Sequence, residues 1–363
     1  MLDVIRVAAA ATVAAAHLTQ SHFSEGLPDL TVLARASVAI FFVLSGFVIR
    51  YVTCRRRSIL DNYLKDRVSR IYSVVIPALL VTLAADTISR HINRAFYMSW
   101  SEYATHPISR IFENMIFTAQ LWTRDVSPLS NSPFWSLNYE VAYYVLYGCA
   151  FYLTGRRRLF WIAVTVLVVG PKILLLFPVW LIGCFGHDLY QKQSGSGRLA
   201  SDLNWAIAGG LVIVAGAGVA MWINRGLFNA ALLLHSQMYV ESQRLKLGMT
   251  GDGLAFYAIG LVGCVIFLRV LLMVRRFEIG SDTKMVRVAR FIAEGTFPIY
   301  LLHFPLYVLI AACIPYNHAS LFQKGLILLT ILALGVLAGH PCNSLKTRLR
   351  SLTLERAKVE TAA

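Results

Sequence analysis

Residues 2–17 read LDVIRVAAAATVAAAH, an almost unbroken Ala and Val run that carries Arg6 near one end and His17 at the other. A stretch this apolar predicts a membrane helix, yet it holds a cation and a titratable base. Arg6 to His17 is a step of eleven residues. At about 100° per residue, such a step closes to within about 20° of three full turns, so both side chains share one face, about 16 Å apart along the axis. Ionisable groups inside a membrane segment are costly to bury and mark functional positions. For His17 the competing reading is an imidazole hydrogen-bonded within a helix bundle.

The rest of the chain agrees with a membrane solvent. Of its 363 residues, 57% are hydrophobic and only 15% charged, with a mean hydropathy of +0.61. That leaves too little polar surface for a soluble protein of this size and predicts an all-α, polytopic transmembrane helical bundle. Apolar runs at 32–49, 71–85, 141–153, 159–170, 173–186, 205–223, 254–274, 291–314 and 321–340, with the N-terminal run, make about ten spans. The runs at 141–153, 159–170 and 173–186 are short and must borrow flanking residues.

A net charge of +15 would suit a nucleic-acid binder. Its position argues otherwise, and no nucleic-acid partner is expected. Arg55 to Arg57, Lys65, Arg67 and Arg70, then Arg156 to Arg158, then Lys192 and Arg198, then Arg275, Arg276, Lys284, Arg287 and Arg290 all fall in alternate links between spans. With the tail's Lys346, Arg348, Arg350, Arg356 and Lys358 they make 21 of the 34 Lys and Arg. The positive-inside rule then puts both termini in the cytoplasm, with residues 1–345 as one transmembrane domain and 346–363 as a short basic tail. Reading the N-terminal run as a cleaved signal peptide would invert that parity. The six cysteines lack any C-x-x-C spacing and read as apolar packing residues, so neither a disulfide framework nor a metal site is expected. Of two longer outward segments, 88–134 and 224–251, the first mixes Arg90, Arg94, Phe96, Tyr97, Trp100, Glu102 and Tyr103. It reads as an amphipathic helix at headgroup level or a cap over a substrate.

On this topology the unusual residues sort by depth. His17 and Glu140, from SPFWSLNYE, both fall in the outer half, where a carboxylate could orient an imidazole acting as a general base. At the inner face, Arg67 and Arg70 in YLKDRVSRIY could grip phosphate oxygens, although clustered arginines also serve topology and anionic lipid contact. Ser45 and Gly46 interrupt the bulky run FFVLSGFVI. Small residues there mean close helix packing or a groove for a slender chain. His303, in IYLLHFPLY, either lines a central cavity or packs.

Taken together, Arg6 to His17, Phe41-Phe42-Val43-Leu44-Ser45-Gly46-Phe47, Arg67-x-x-Arg70-Ile71, Trp135-Ser136-Leu137 with Glu140, and Tyr300-Leu301-Leu302-His303-Phe304-Pro305 resemble, in order, the motifs of the acyltransferase-three family. That resemblance runs from about residue 2 to 340. It implies a multi-pass bacterial inner-membrane enzyme moving acyl groups from cytoplasmic acyl-CoA, usually acetyl-CoA, onto a carbohydrate or glycolipid. By the resemblance His17 is the catalytic histidine with Arg6 as its motif partner. Arg67 and Arg70 belong to donor binding, and Trp135, Ser136 and Glu140 match the fourth-span signature. Val4, Val7 and Ser73 depart from its usual glycines and proline. No bound cofactor is expected; acyl-CoA is a co-substrate. Besides membrane lipid, polysaccharide-assembly proteins are the other partners envisaged. The runner-up reading is a transporter or exporter of a lipid-linked saccharide, since intramembrane Arg, His and Glu also suit proton coupling. A third is a membrane scaffold for polysaccharide assembly.

Overall fold

In the computed structural model, which describes residues 2–56, 59–99, 105–193, 244–274 and 284–360 with isolated positions between 201 and 241, the apolar runs within the described residues are helices. No strand occurs among the described residues. The helices are α1 (Leu2–Leu18), α2 (Thr31–Arg56), α3 (Leu60–Ile92), α4 (Arg94–Met98), α5 (Pro107–Met115), α6 (Trp135–Tyr152), α7 (Gly155–Gln193), α8 (Gly253–Val274), α9 (Lys284–Glu294), α10 (Thr296–Cys313) and α11 (Leu321–Glu360). Six of them, α2, α3, α7, α8, α10 and α11, are long and apolar enough to cross a membrane. The 17-residue α1 and 18-residue α6 pack among them. All but one position of the expected span at 205–223, most of 224–251, and Trp100, Glu102, Tyr103, Arg57, Arg198, Arg275 and Arg276 lie outside the described residues.

Several boundaries differ from expectation, each for a local reason. The runs 159–170 and 173–186 are two arms of α7, joined only at Gly170, whose φ of 76° and ψ of 174° suit glycine alone. A Cβ at Gly170 would also lie 2.8 Å from Trp122 Cα. Trp122 completes the junction by donating from its backbone N–H to Val169 O (3.1 Å) and from its indole to Leu167 O (3.1 Å), carbonyls that the helix end leaves open. The run 291–314 is likewise broken at Gly295, between α9 and α10. Residues 321–360 form one helix, which continues through position 345.

The second arm of α7 runs alongside α2 and α6. Tyr143 donates to Ile173 O (2.9 Å), Tyr147 stacks edge-on against Trp180 (5.5 Å), and Arg50 forms a two-bond ion pair with Asp188 (2.8 and 3.0 Å). Gly46 decides how closely α2 and α7 approach: a Cβ there would sit 2.0 Å from Trp180 O, and one at Gly183 would sit 1.9 Å from Val43 O. Gly46 is therefore a close helix crossing, while its neighbour Ser45 lines a cavity on another side of α2. Pro305 inside α10 has no N–H for Leu301 O, and Asn131 Nδ2 donates to that carbonyl instead (2.8 Å). This ties the 116–134 connection to α10, close to His303.

Candidate active site

Helices α1, α2, α3, α6, α9, α10 and α11 surround a cavity of about 440 Å³. Four cations line it: Arg6, Arg70, Arg290 and Lys346. Asp3, Glu140 and Glu294 line it too, but among the described residues the guanidinium groups of Arg6, Arg70 and Arg290 form no ion pair or hydrogen bond. Arg6 and Arg70 are half-buried and Arg290 is exposed, and guanidinium groups without a partner gathered around one cavity can receive an anion through charge-assisted hydrogen bonds.

The α9–α10 corner reaches the cavity because α11 meets it through glycines. A Cβ at Gly339 would lie 2.6 Å from Glu294 C, and one at Gly335 would lie 2.9 Å from Ile299 Cα. Asn343 Nδ2 donates to Glu294 Oε1 (3.0 Å) across the same seam. That contact brings Arg290 from α9 and Lys346 from α11 to one wall. Neither stood out in the sequence, where both are ordinary members of basic stretches.

Of the Arg67-x-x-Arg70 pair, only Arg70 lines the cavity. Arg67 lies over the rings of Tyr63 (5.9 Å) and Tyr144 (5.7 Å), with its Nε buried and without a hydrogen bond. Residues three apart on a helix are about 60° out of register, enough for a packed aromatic neighbour to capture one of the two. Tyr144 in turn donates its hydroxyl to Glu140 Oε1, which also accepts from Ser45 Oγ (2.6 Å). Ser45 Oγ accepts from the Trp180 indole (3.2 Å). Glu140 is thus held on one oxygen by α2 and α6, and its place is the cavity wall. The Glu140 to Tyr144 spacing of four residues was a legible helical pair that sequence reading passed over.

The expected pairing of His17 with Glu140 is not formed. The partner of His17 is His303: His17 Nδ1 lies 2.9 Å from His303 Nε2, with the rings stacked at 5.1 Å. His303 Nδ1 lies 3.1 Å from Ile299 O, and a carbonyl can only accept. The His303 proton is therefore on Nδ1, its Nε2 accepts from His17 Nδ1–H, and His17 is left with a free lone pair on Nε2. His303 is fully buried, while His17 is half-buried and flanked edge-on by Phe304 (5.5 Å). Neither histidine lines the cavity; Tyr300 does, and its ring lies 6.2 Å from that of His303.

Ser136 also lines the cavity and hydrogen-bonds the Tyr300 hydroxyl (2.6 Å), which donates to Pro133 O (2.9 Å). Trp135 instead packs against Phe42, Tyr139 and Phe256, outside the lining. Elsewhere, Cys54, His187 and Asp188 bring ligating atoms within 4.8 Å of one another. Both Asp188 oxygens there are engaged by Arg50, and Oδ1 lies 3.2 Å from His187 Nδ1 as well.

Comparison with known proteins adds an independent line. A family model described as an acyltransferase domain matches residues 1–339. Among curated proteins, "Acyltransferase MdmB" of Streptomyces mycarofaciens is 27% identical over 191 residues, covering 48% of this chain and 46% of that protein. The aligned region therefore spans about half of the relative's length. No solved structure matches.

Proposed function

Because the chain belongs to this acyltransferase family, we propose that it transfers an acyl group, acetyl in the first instance, from cytoplasmic acyl-CoA to a hydroxyl of a cell-surface or exported glycan. The observation that carries the reading is the cluster of unpaired cations around one cavity, with a histidine pair beyond its Tyr300 end. Arg6 and His17 stand on one helix, about 16 Å apart by helical rise. An extended pantetheine arm is of that order, on the order of 20 Å. In this reading the chain crosses a bacterial inner membrane ten times with both termini cytoplasmic, so the cationic end of the cavity faces the donor.

Arg6, Arg70, Arg290 and Lys346 would take the phosphates of CoA as charge-assisted hydrogen bonds. The pantetheine arm would run past Ser45 and Glu140. His17 Nε2 would accept the proton of the acceptor hydroxyl as its oxygen attacks the thioester carbonyl. The C–S bond breaks, and the departing CoA thiolate takes that proton back from His17, so no proton is left over. His303 is a positioning residue: by holding Nδ1–H it keeps the accepting lone pair on Nε2. Direct transfer is favoured over an acyl-enzyme because the Ser45 hydroxyl is already donated to Glu140 and has no imidazole beside it.

The test uses inverted membrane vesicles of the native host with labelled acetyl-CoA, comparing wild type with His17→Ala at equal membrane abundance. Label should pass to glycan only with His17 present. Undiminished transfer by His17→Ala would remove the proposed role of His17. In parallel, NMR of surface glycans from a gene-deletion strain should show loss of an O-acyl group and so identify acceptor and acyl together.

A further inference from the structure

A thioester held in the cavity has to present its carbonyl to His17, yet neither histidine borders that space. The cavity wall next to His303 is Tyr300, and Tyr300 is one of an aromatic pair. Phe41 and Tyr300 both line the cavity and meet edge to face, with ring centres 5.6 Å apart and planes at 70°. Beyond Tyr300 lies His303, and beyond His303 lies His17.

The two rings are not equally fixed. Tyr300 is buried, and its hydroxyl is tied to Ser136 and to the Pro133 carbonyl, so its ring plane is set from the far end. Neighbouring Phe42 is equally immobile, buried among Trp135, Tyr139 and Tyr143. Phe41 is only half-buried, and among the described residues Tyr300 is the ring it meets. Phe41 can be trimmed without removing a hydrogen bond.

We propose that Phe41, closing against the anchored Tyr300, is the specificity-determining residue for acyl-chain length, limiting the space next to the histidine pair to short acyl groups. The inference rests on the acyl-CoA reading above. An acyl chain attached to the thioester has to lie where these rings meet, and each added methylene meets the Phe41 ring before the carbonyl can reach His17. One methylene in a fitted apolar pocket changes kcat/KM by about 10- to 200-fold.

The experiment compares acetyl-CoA with butyryl-CoA in native-host inverted vesicles carrying wild type, Phe41→Leu or Phe41→Ala. The readout is the ratio of kcat/KM for the two donors, which cancels the amount of folded enzyme in each preparation. The butyryl-to-acetyl ratio should rise about tenfold or more for Phe41→Ala and part of the way for Phe41→Leu. A ratio unchanged within about twofold in Phe41→Ala, with acetyl transfer still measurable, overturns the inference and leaves the functional reading intact. Should Phe41→Ala fail to accumulate, Phe41→Leu decides by the same criterion. A wild type that turns over neither donor in a His17-dependent way overturns the functional reading and this inference with it.

Discussion

Replacing His303 by Phe tests the histidine relay at the one point where geometry alone assigns a role. The substitution keeps a ring of similar shape in a fully buried site but removes the Nε2 lone pair that accepts His17 Nδ1–H at 2.9 Å. A buried donor left without its acceptor costs about 1–3 kcal/mol. His17 can escape that cost by moving its proton to Nε2, the nitrogen that has to accept from the substrate. The catalytically competent tautomer therefore becomes the disfavoured one by a comparable amount, and kcat should fall roughly 5- to 150-fold. Donor KM should stay within about twofold, because His303 does not line the cavity that holds the cations. His303→Gln should recover part of the rate, since its amide oxygen can take the place of Nε2. The assay is steady-state transfer in vesicles at varied acetyl-CoA. A rise in donor KM matching the loss of rate, or no better rate for His303→Gln than for His303→Phe, would refute the tautomer argument.

Further outcomes follow from the same geometry. Arg70→Ala should raise donor KM by about 10- to 100-fold, the worth of a hydrogen bond to a charged group, and make donor KM less sensitive to added salt than in the wild type, measured by initial rates at low and high ionic strength. Arg67→Ala should lower the yield of folded protein more than it raises donor KM, because its guanidinium packs on Tyr63 and Tyr144 outside the cavity; equal KM effects from the two arginines would contradict that division. Gly46→Val should prevent stable folding, read by size-exclusion profile and thermal melting in detergent, since even a Cβ would lie 2.0 Å from Trp180 O. Transfer should fall as pH drops and level off on the alkaline side, because His17 accepts a proton only as the neutral ring; a pH–rate profile with the opposite slope contradicts a general-base role.

Much of the fold is legible because apolar length is a one-dimensional signal. The runs at 32–49, 71–85, 254–274 and 321–340 each lie within a helix of the structure, since in lipid every backbone polar group has to be satisfied within its own segment. What hydropathy misses are the breaks at Gly170 and Gly295, where a neighbour leaves no room for a Cβ: Trp122 in one case, Val336 and Gly335 in the other. The site is legible to the same degree. Helical period puts Arg6 and His17 on one face of α1, but it says nothing of which residue from another helix meets them. Depth alone suggested Glu140 for His17. Packing instead gives Glu140 to Ser45 and Tyr144, and gives His17 to His303, a residue 286 positions away in the chain.

By itself, then, the sequence determined that this is a helical membrane protein, which polar residues are buried at a cost, and which family its ordered motifs resemble. Those properties reside in composition, period and local spacing. The tertiary structure decided which arginine of the Arg67–Arg70 pair turns to the cavity, that Gly46 is a helix contact, and that Arg290 and Lys346 join Arg6. Each depends on which surfaces of distant helices touch, and that is set by close packing of side chains, for which a linear pattern carries no coordinate.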